Sequence, residues 1–301
     1  MLIPPAISVR PGIPRLTAVS YLPLPWPFER GYMQLALFAG LVVGACAPLV
    51  GVFLVQKRLS LMGDGIGHLA FAGVAGGVLA GVWPIWTALV ATVAGALFIE
   101  WIRKRSRTSG DLALALVFYV GIAGGSVLIG LAHGLNANLL SYLFGSILTV
   151  SPGDVIVVVV VGAAIVAIIG VTGRALFAIV LDEDTSRVSG LPVDALNATL
   201  AILTAVVVVA SMRVVGILLV SALMVLPVGA AQAATRSFRQ LAFSASAFGV
   251  SAVVIGLVVA RTAGTVPGGT IVLVAGAEFV VATIAGTLKS RPASSPGRHQ
   301  H

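Results

Sequence analysis

Residues 60–77 read SLMGDGIGHLAFAGVAGG, and the rest of the chain is organised around this stretch. It opens an apolar run with Asp64 and His68, four residues apart. On a helix that spacing places both side chains on one face, one turn from each other. A carboxylate beside an imidazole is a partial ligand set for a divalent transition metal. The run after His68 is apolar enough to lie in a bilayer, where an ionisable side chain costs roughly 2.5–3.5 kcal/mol on insertion scales and points to function. Gly63, Gly65, Gly67, Gly73, Gly76 and Gly77 let neighbouring helices approach closely. The stretch therefore predicts a point where a metal ion passes, inside a membrane scaffold. The alternative for the pair is a helix cap plus a packed histidine.

Composition supports the scaffold. Only 9% of the 301 residues are charged and 58% are hydrophobic, against about 25% charged in soluble domains. The apolar residues come in blocks of about twenty, the length of spanning helices rather than the ten-residue alternation of barrel strands. The predicted fold class is all-α, a polytopic membrane protein of eight to nine transmembrane helices. Nine spans are read at 34–55, 64–82, 85–103, 112–132, 153–173, 197–212, 214–232, 241–260 and 270–288. The net charge of +8 does not imply nucleic-acid binding, because basic residues of multispan proteins sort to cytoplasmic loops. Thirteen of the eighteen basic residues fall on one side of the nine-span arrangement, Arg10, Arg15, Arg30, Arg213 and Arg261 on the other. This puts the N-terminus outside and the C-terminus in the cytoplasm. Cys46 is alone and reads as a small packing residue.

Residues 1–32 carry seven prolines and read as a disordered N-terminal arm. Met33, just before the first span, is an alternative start. Residues 33–288 form the transmembrane domain, and 289–301 a disordered cytoplasmic tail. Two connections exceed simple turns. In 133–154, Asn138 is placed to cap a short external helix over 139–148. In LDEDTSRVSGLPVD (181–194), Asp182, Glu183 and Asp184 suit a helix N-terminus, Gly190 its C-terminal cap, and Pro192 prevents continuation. This short cytoplasmic helix is either a rigid contact for a partner or an ordinary capped loop. Pro227 is expected to interrupt the seventh span. Glu278, in the middle of the last span, is open to three roles: metal ligand, proton carrier or hydrogen-bonded structural residue. Glu100 is expected to pair with Arg103 or Lys104, and His133 to lie at a surface.

No GxxxxGK[ST], HExxH or CxxC motif occurs. Energy for uphill transport would have to come from another subunit or an ion gradient. An intramembrane metalloenzyme using Asp64, His68 and Glu278 has no recognisable catalytic motif behind it.

Five ordered segments carry a family resemblance. GDGIGHLAFAGVAGG resembles the GDxxxHAxxxGVAxG signature of the zinc/manganese/iron-type permeases of bacterial ABC uptake systems. LLSYLFGSILTVSPGD, LDEDTSRVSGLPVDALN, VVGILLVSALMVLPVGAA and TAGTVPGGTIVL are similar to further segments of that family. The resemblance implies an ABC importer permease fold in the plasma membrane, a homodimer, cytoplasmic ABC ATPase subunits and an extracellular metal-binding protein. It implies that Asp64 and His68 meet the transported ion; the pair does not separate zinc from manganese or iron, and affinity alone favours zinc, with manganese close behind. It also implies that the segment containing Asp182, Glu183, Asp184, Arg187 and Gly190 docks on the ATPase, and that no cofactor is permanently bound. The chain departs from the pattern at Leu69, where relatives often have Ala, and at Thr265–Val266, where an Asp is common before the proline. A permease for a metal chelate, such as a siderophore or cobalamin, is the alternative; the Asp–His pair argues against it, because a chelated metal needs no protein ligands.

Overall fold

A computed structural model describes residues 25–105, 110–132 and 137–290. Residues 1–24 of the expected arm, the 291–301 part of the expected tail, and His133 lie outside them. The described residues are mostly helical, without strands. The order is α1 (Gly31–Gln56), α2 (Met62–Ala80), α3 (Pro84–Arg105), α4 (Gly110–Leu131), α5 (Ala137–Phe144), α6 (Pro152–Leu181), α7 (Glu183–Val188), α8 (Val193–Ser211), α9 (Ile217–Ala234), α10 (Phe238–Ala263) and α11 (Pro267–Ser290).

A long helix stands at each of the nine expected spans. Among the described residues, seven of them are long and apolar enough to cross a membrane, and Leu219–Ala234 of α9 is a shorter apolar helix. The remaining helix is α2, which carries Asp64, His68 and six glycines where its neighbours carry aliphatic side chains. By length and hydropathy the count is thus seven plus one, within the expected eight to nine. The two helices that fall short, α2 and α9, are inner elements whose surroundings are mostly protein. α2 packs against α3, α4, α8 and α9, and α9 against α1, α10 and α11 as well. Helices surrounded by protein need less hydropathy than those facing lipid.

Glycines set how closely α2 is held. A Cβ on Gly63 would stand 3.1 Å from Ser221 Cβ, and one on Gly67 3.2 Å from the Ile217 carbonyl, so α9 lies against that side. On another side, Gly121 of α4 abuts the His68 backbone. Further along, a Cβ on Gly73 would come within 2.7 Å of Ala88 of α3. Leu69, the departure from the family pattern, is accommodated by Gly95 of α3, where any Cβ would collide with the Leu69 side chain.

Two expectations are corrected. The short helix in 133–154 does not run over 139–148: it ends at Phe144, Gly145 turns with φ +73°, and a 3-10 turn follows at Ile147–Thr149. A Cβ on Gly145 would stand 2.6 Å from the Val214 carbonyl, so this connection is pressed onto the break between α8 and α9. Pro227 does not interrupt its helix, which runs unbroken from Ile217 to Ala234; a proline removes one N–H from a helix that tertiary packing holds in place. The junction at 212–216 is a genuine break. Gly216 takes φ +94°, and Arg213 in the turn bonds Asp154 at 3.0 Å and the Tyr142 hydroxyl at 3.1 Å.

Candidate metal path

Asp64 lies in the first turn of α2 and His68 one turn further on. The hydroxyl of Ser221 on α9 donates a hydrogen bond to Asp64 Oδ1. The imidazole of His68 meets the ring of Phe118 on α4 edge to face, with centroids 4.5 Å apart. Its Nδ1 is buried and has no hydrogen-bond partner. Phe118 therefore fixes the ring from one side while a ring nitrogen stays available. Asp64, His68, Ala72 and Gly76, at successive intervals of four, are all half-buried, while Ile66, Ala70 and Val74 are fully buried. The pair thus sits on a partly open stripe of α2 that continues past it over small side chains.

The sequence alone places the pair near the beginning of a span. The structure puts it deeper. Gly51 of α1 lies level with Met224 of α9, and Gly63 of α2 level with Ser221. Gly51 is five residues short of the end of α1, and Ser221 is three residues further from that end. At 1.5 Å per residue, Asp64 stands about 12 Å inward from the Gln56 end of α1. The turn from 57 to 61 climbs back before α2 starts.

Glu278 does not join this pair. It accepts a 2.7 Å hydrogen bond from Ser251 of α10 through Oε1, while its Oε2 is buried without a partner. Among the described residues no group of three or more His, Cys, Asp or Glu side chains is positioned to hold a metal. Asp64 and His68 thus stand as a pair, with no third such side chain beside them among the described residues.

A second polar site surrounds α7. Asp182 is its N-cap: Oδ1 accepts from the Thr185 amide at 2.9 Å and Oδ2 from the Thr185 hydroxyl at 2.7 Å. Those bonds hold the Asp182 carboxyl below the usual range, the amide bond most strongly. At the other end the Leu191 amide bonds the Ser186 carbonyl and the Gly190 amide the Arg187 carbonyl. Gly190 takes φ +83°, as the Schellman closure requires. Glu183 points inward. Lys57, whose side chain is only 5% exposed, pairs with it at 3.3 Å and also donates to Asn197 Oδ1, and Asn197 donates back to Glu183 at 3.0 Å. Burial pulls the Lys57 ammonium below its ordinary range, and the Glu183 charge opposes that. Arg187 bonds Asp194 at 3.0 Å, and Asp194 also accepts from Lys104 at 2.6 Å. Asp184 is exposed, and Val188 presents an apolar side chain that is 91% exposed. A groove of about 680 Å³ opens beside α7, lined by Glu100, Trp101, Arg103 and Lys104 among others. Glu100 pairs with Arg103 at 2.6 Å, as expected.

The structure thus brings Asp64 and His68 together, leaves Glu278 apart, and builds the expected capped helix from Asp182 to Gly190. Sequence reasoning missed Ser221, Phe118, Lys57 and Asn197. Lys57 counted only as a loop charge, and nothing local marks Ser221 or Phe118 as neighbours of the pair.

The ABC 3 transport family model matches residues 29–286. The chain belongs to the ABC 3 transport family. A manganese transport system membrane protein of Halalkalibacterium halodurans is 32% identical over 251 residues, covering 83% of this chain and 86% of that one. A manganese import system permease protein of Streptococcus gordonii is 29% identical over 250 residues, covering 83% and 90%. Among solved structures, PsaBC from Streptococcus pneumoniae in complex with Fab superposes with a TM-score of 0.77 at 31% identity, covering 87% of this chain and 96% of that chain. The family match spans all the long helices, from α1 into α11, and the fold is that of an ABC importer permease.

Proposed function

We propose that the chain is the membrane-spanning permease subunit of an ATP-driven importer of a divalent metal ion. The observation that carries this reading is the Asp64–His68 pair on a partly open stripe of an interior helix, with a ring nitrogen free of partners. Two ligands per chain suit a conduit, because an ion held tightly is not released. Two copies facing each other across the path would offer four. In this reading the ion comes from an extracellular binding protein, passes between two copies and meets Asp64 and His68 briefly. Cytoplasmic ATPase subunits dock on α7, Val188 entering their surface and Asp184 facing it. The ion pairs of Glu183 and Arg187 pass the resulting movement to α1, α3 and α8. The orientation is N-terminus outside and C-terminus in the cytoplasm, which places α7 on the ATPase side. The chain itself catalyses no hydrolysis.

The names of the relatives favour manganese over the zinc expected first. An Asp–His pair does not separate the two on its own, since affinity would favour zinc. The test is removal of this chain from its native host during growth in chelated medium, with cellular manganese, zinc and iron measured. A fall in manganese restored by the wild type but not by His68→Ala supports the reading. A fall in zinc alone reassigns the ion. No change in any metal sinks the free-ion path and favours a chelate permease.

A further inference from the structure

We propose that the groove between α1, α6 and α10 binds one anionic phospholipid, its phosphate between Arg174 and Arg239 and an acyl chain along the phenylalanines below. The groove encloses about 560 Å³, within the 300–1,000 Å³ of ordinary ligand pockets. Its wall is Leu49, Phe53, Ile169, Phe177, Phe238 and Phe243, and its two charged residues are both arginines. The Phe238 ring meets those of Phe177 and Phe53 at tilted angles, with centroids 4.5 Å and 5.3 Å away, which makes a continuous aromatic floor. No carboxylate lines it. Among the described residues, Arg103, Arg187 and Arg213 have ion-pair partners, whereas neither Arg174 nor Arg239 does.

Depth supports a headgroup rather than a soluble anion. Arg174 lies 22 residues beyond the first residue of α6, about 33 Å along it, just past a hydrocarbon layer of about 30 Å. Arg239 is the second residue of α10, with about 36 Å of helix beyond it to Ala263. Both cations therefore stand at one membrane boundary with an apolar slot running from them into the bilayer. Guanidinium forks match phosphate oxygens bidentately, and basic pockets between spanning helices are recurrent sites for anionic headgroups. Phe177 is five residues before the Asp182 cap, so the lipid would brace the end of α6 that carries α7. The assignment to the cytoplasmic leaflet rests on the orientation proposed above; the binding itself does not, nor does it depend on which ion is carried.

The test is native mass spectrometry of the full chain, with its co-purifying partners, after exchange from nanodiscs of phosphatidylglycerol or of phosphatidylcholine. The wild type is expected to retain phosphatidylglycerol in preference to phosphatidylcholine. The Arg174→Gln/Arg239→Gln double variant should retain it about thirty-fold less, from the loss of two cations near an anionic headgroup. Arg261→Gln, at the opposite end of α10, should retain it as the wild type does. Equal retention of the two lipids by the wild type, or unchanged retention by the double variant, would overturn the site. So would efficient disulfide cross-linking of Phe243→Cys between copies, which would give the groove to a second chain. Lost metal uptake with intact lipid selectivity would count against the transport reading and not against this one.

Discussion

Gly121 of α4 faces the backbone of His68 with no room for a methyl group: a Cβ there would stand 2.8 Å from the His68 carbonyl carbon and 2.9 Å from the Leu69 amide nitrogen. The obstructing atoms are backbone, so a rotamer change cannot relieve the clash. Gly121→Ala should push α4 away from α2 and carry Phe118 off the His68 ring. The expected cost is in the 1–3 kcal/mol range of overpacked cores, with metal uptake lost beyond what the lower stability explains. Gly124→Ala meets nothing within 4 Å and should leave both unchanged. Thermal midpoints and uptake of the two variants decide.

Leu69 and Gly95 form a matched pair of large and small. Gly95→Ala should destabilise the α2–α3 contact by about 1–3 kcal/mol, less than Gly121→Ala because the obstacle is a side chain. Adding Leu69→Ala should recover part of the loss, the signature of coupled neighbours. A double-mutant cycle on thermal unfolding that came out additive would show that the two do not share the contact.

Removing the Ser221 hydroxyl takes away the hydrogen bond that Asp64 accepts from it. Ser221→Ala should lower uptake while the chain still folds, and Asp64→Ala or His68→Ala should abolish it. Because a protonated imidazole cannot ligate a metal, uptake should fall on acidification in the wild type. Normal uptake in His68→Ala would remove the pair from the path.

The α7 cap carries its own pH signature. Asp182 titrates below its ordinary value, so its contribution to local stability is complete above the unfolded carboxylate value of about 3.9. It is lost only as pH falls through the lower folded value. Hydrogen exchange in 182–194, corrected for intrinsic rates, should be unchanged between pH 7 and 5 and should rise below about pH 4. Asp182→Ala should raise it at neutral pH, by removing the oxygens that Thr185 bonds.

Lys57→Met should uncouple without unfolding. It removes the nearer of the two cations that Glu183 faces, Arg187 standing at 3.9 Å, and keeps the apolar stem that fills the space. In the assembled transporter, ATP hydrolysis should persist while uptake falls. A parallel loss of both would show that the pair only holds the fold.

Helix positions and the capped segment were readable in the chain because their signals are local. Twenty-residue apolar blocks mark spans, and Asp182, Gly190 and Pro192 punctuate α7. Asp64 and His68 were readable for the same reason, being one turn apart. What was not readable depends on distant residues. Ser221 lies 157 positions from Asp64, and Lys57 lies 126 from Glu183. The depth of Asp64 follows from how α1, α2 and α9 slide past each other, a register that no single segment encodes. Pro227 was misjudged because packing around α9 outweighs the proline's local preference.

The length of α6 has a mechanical consequence. Its 30 residues make a rod of about 45 Å, uninterrupted from the Ser151–Asp154 capping box to the Asp182 junction with α7. One end is bolted through Asp154 to Arg213, and the other carries α7. Such a rod turns a small rotation into a large excursion: a tilt of about 5° about the Asp154 end sweeps the Leu181 end through about 4 Å. A lever of this kind needs no bending of its own, so a pull on the short helix and a shift at the Arg213 pivot are two ends of one motion.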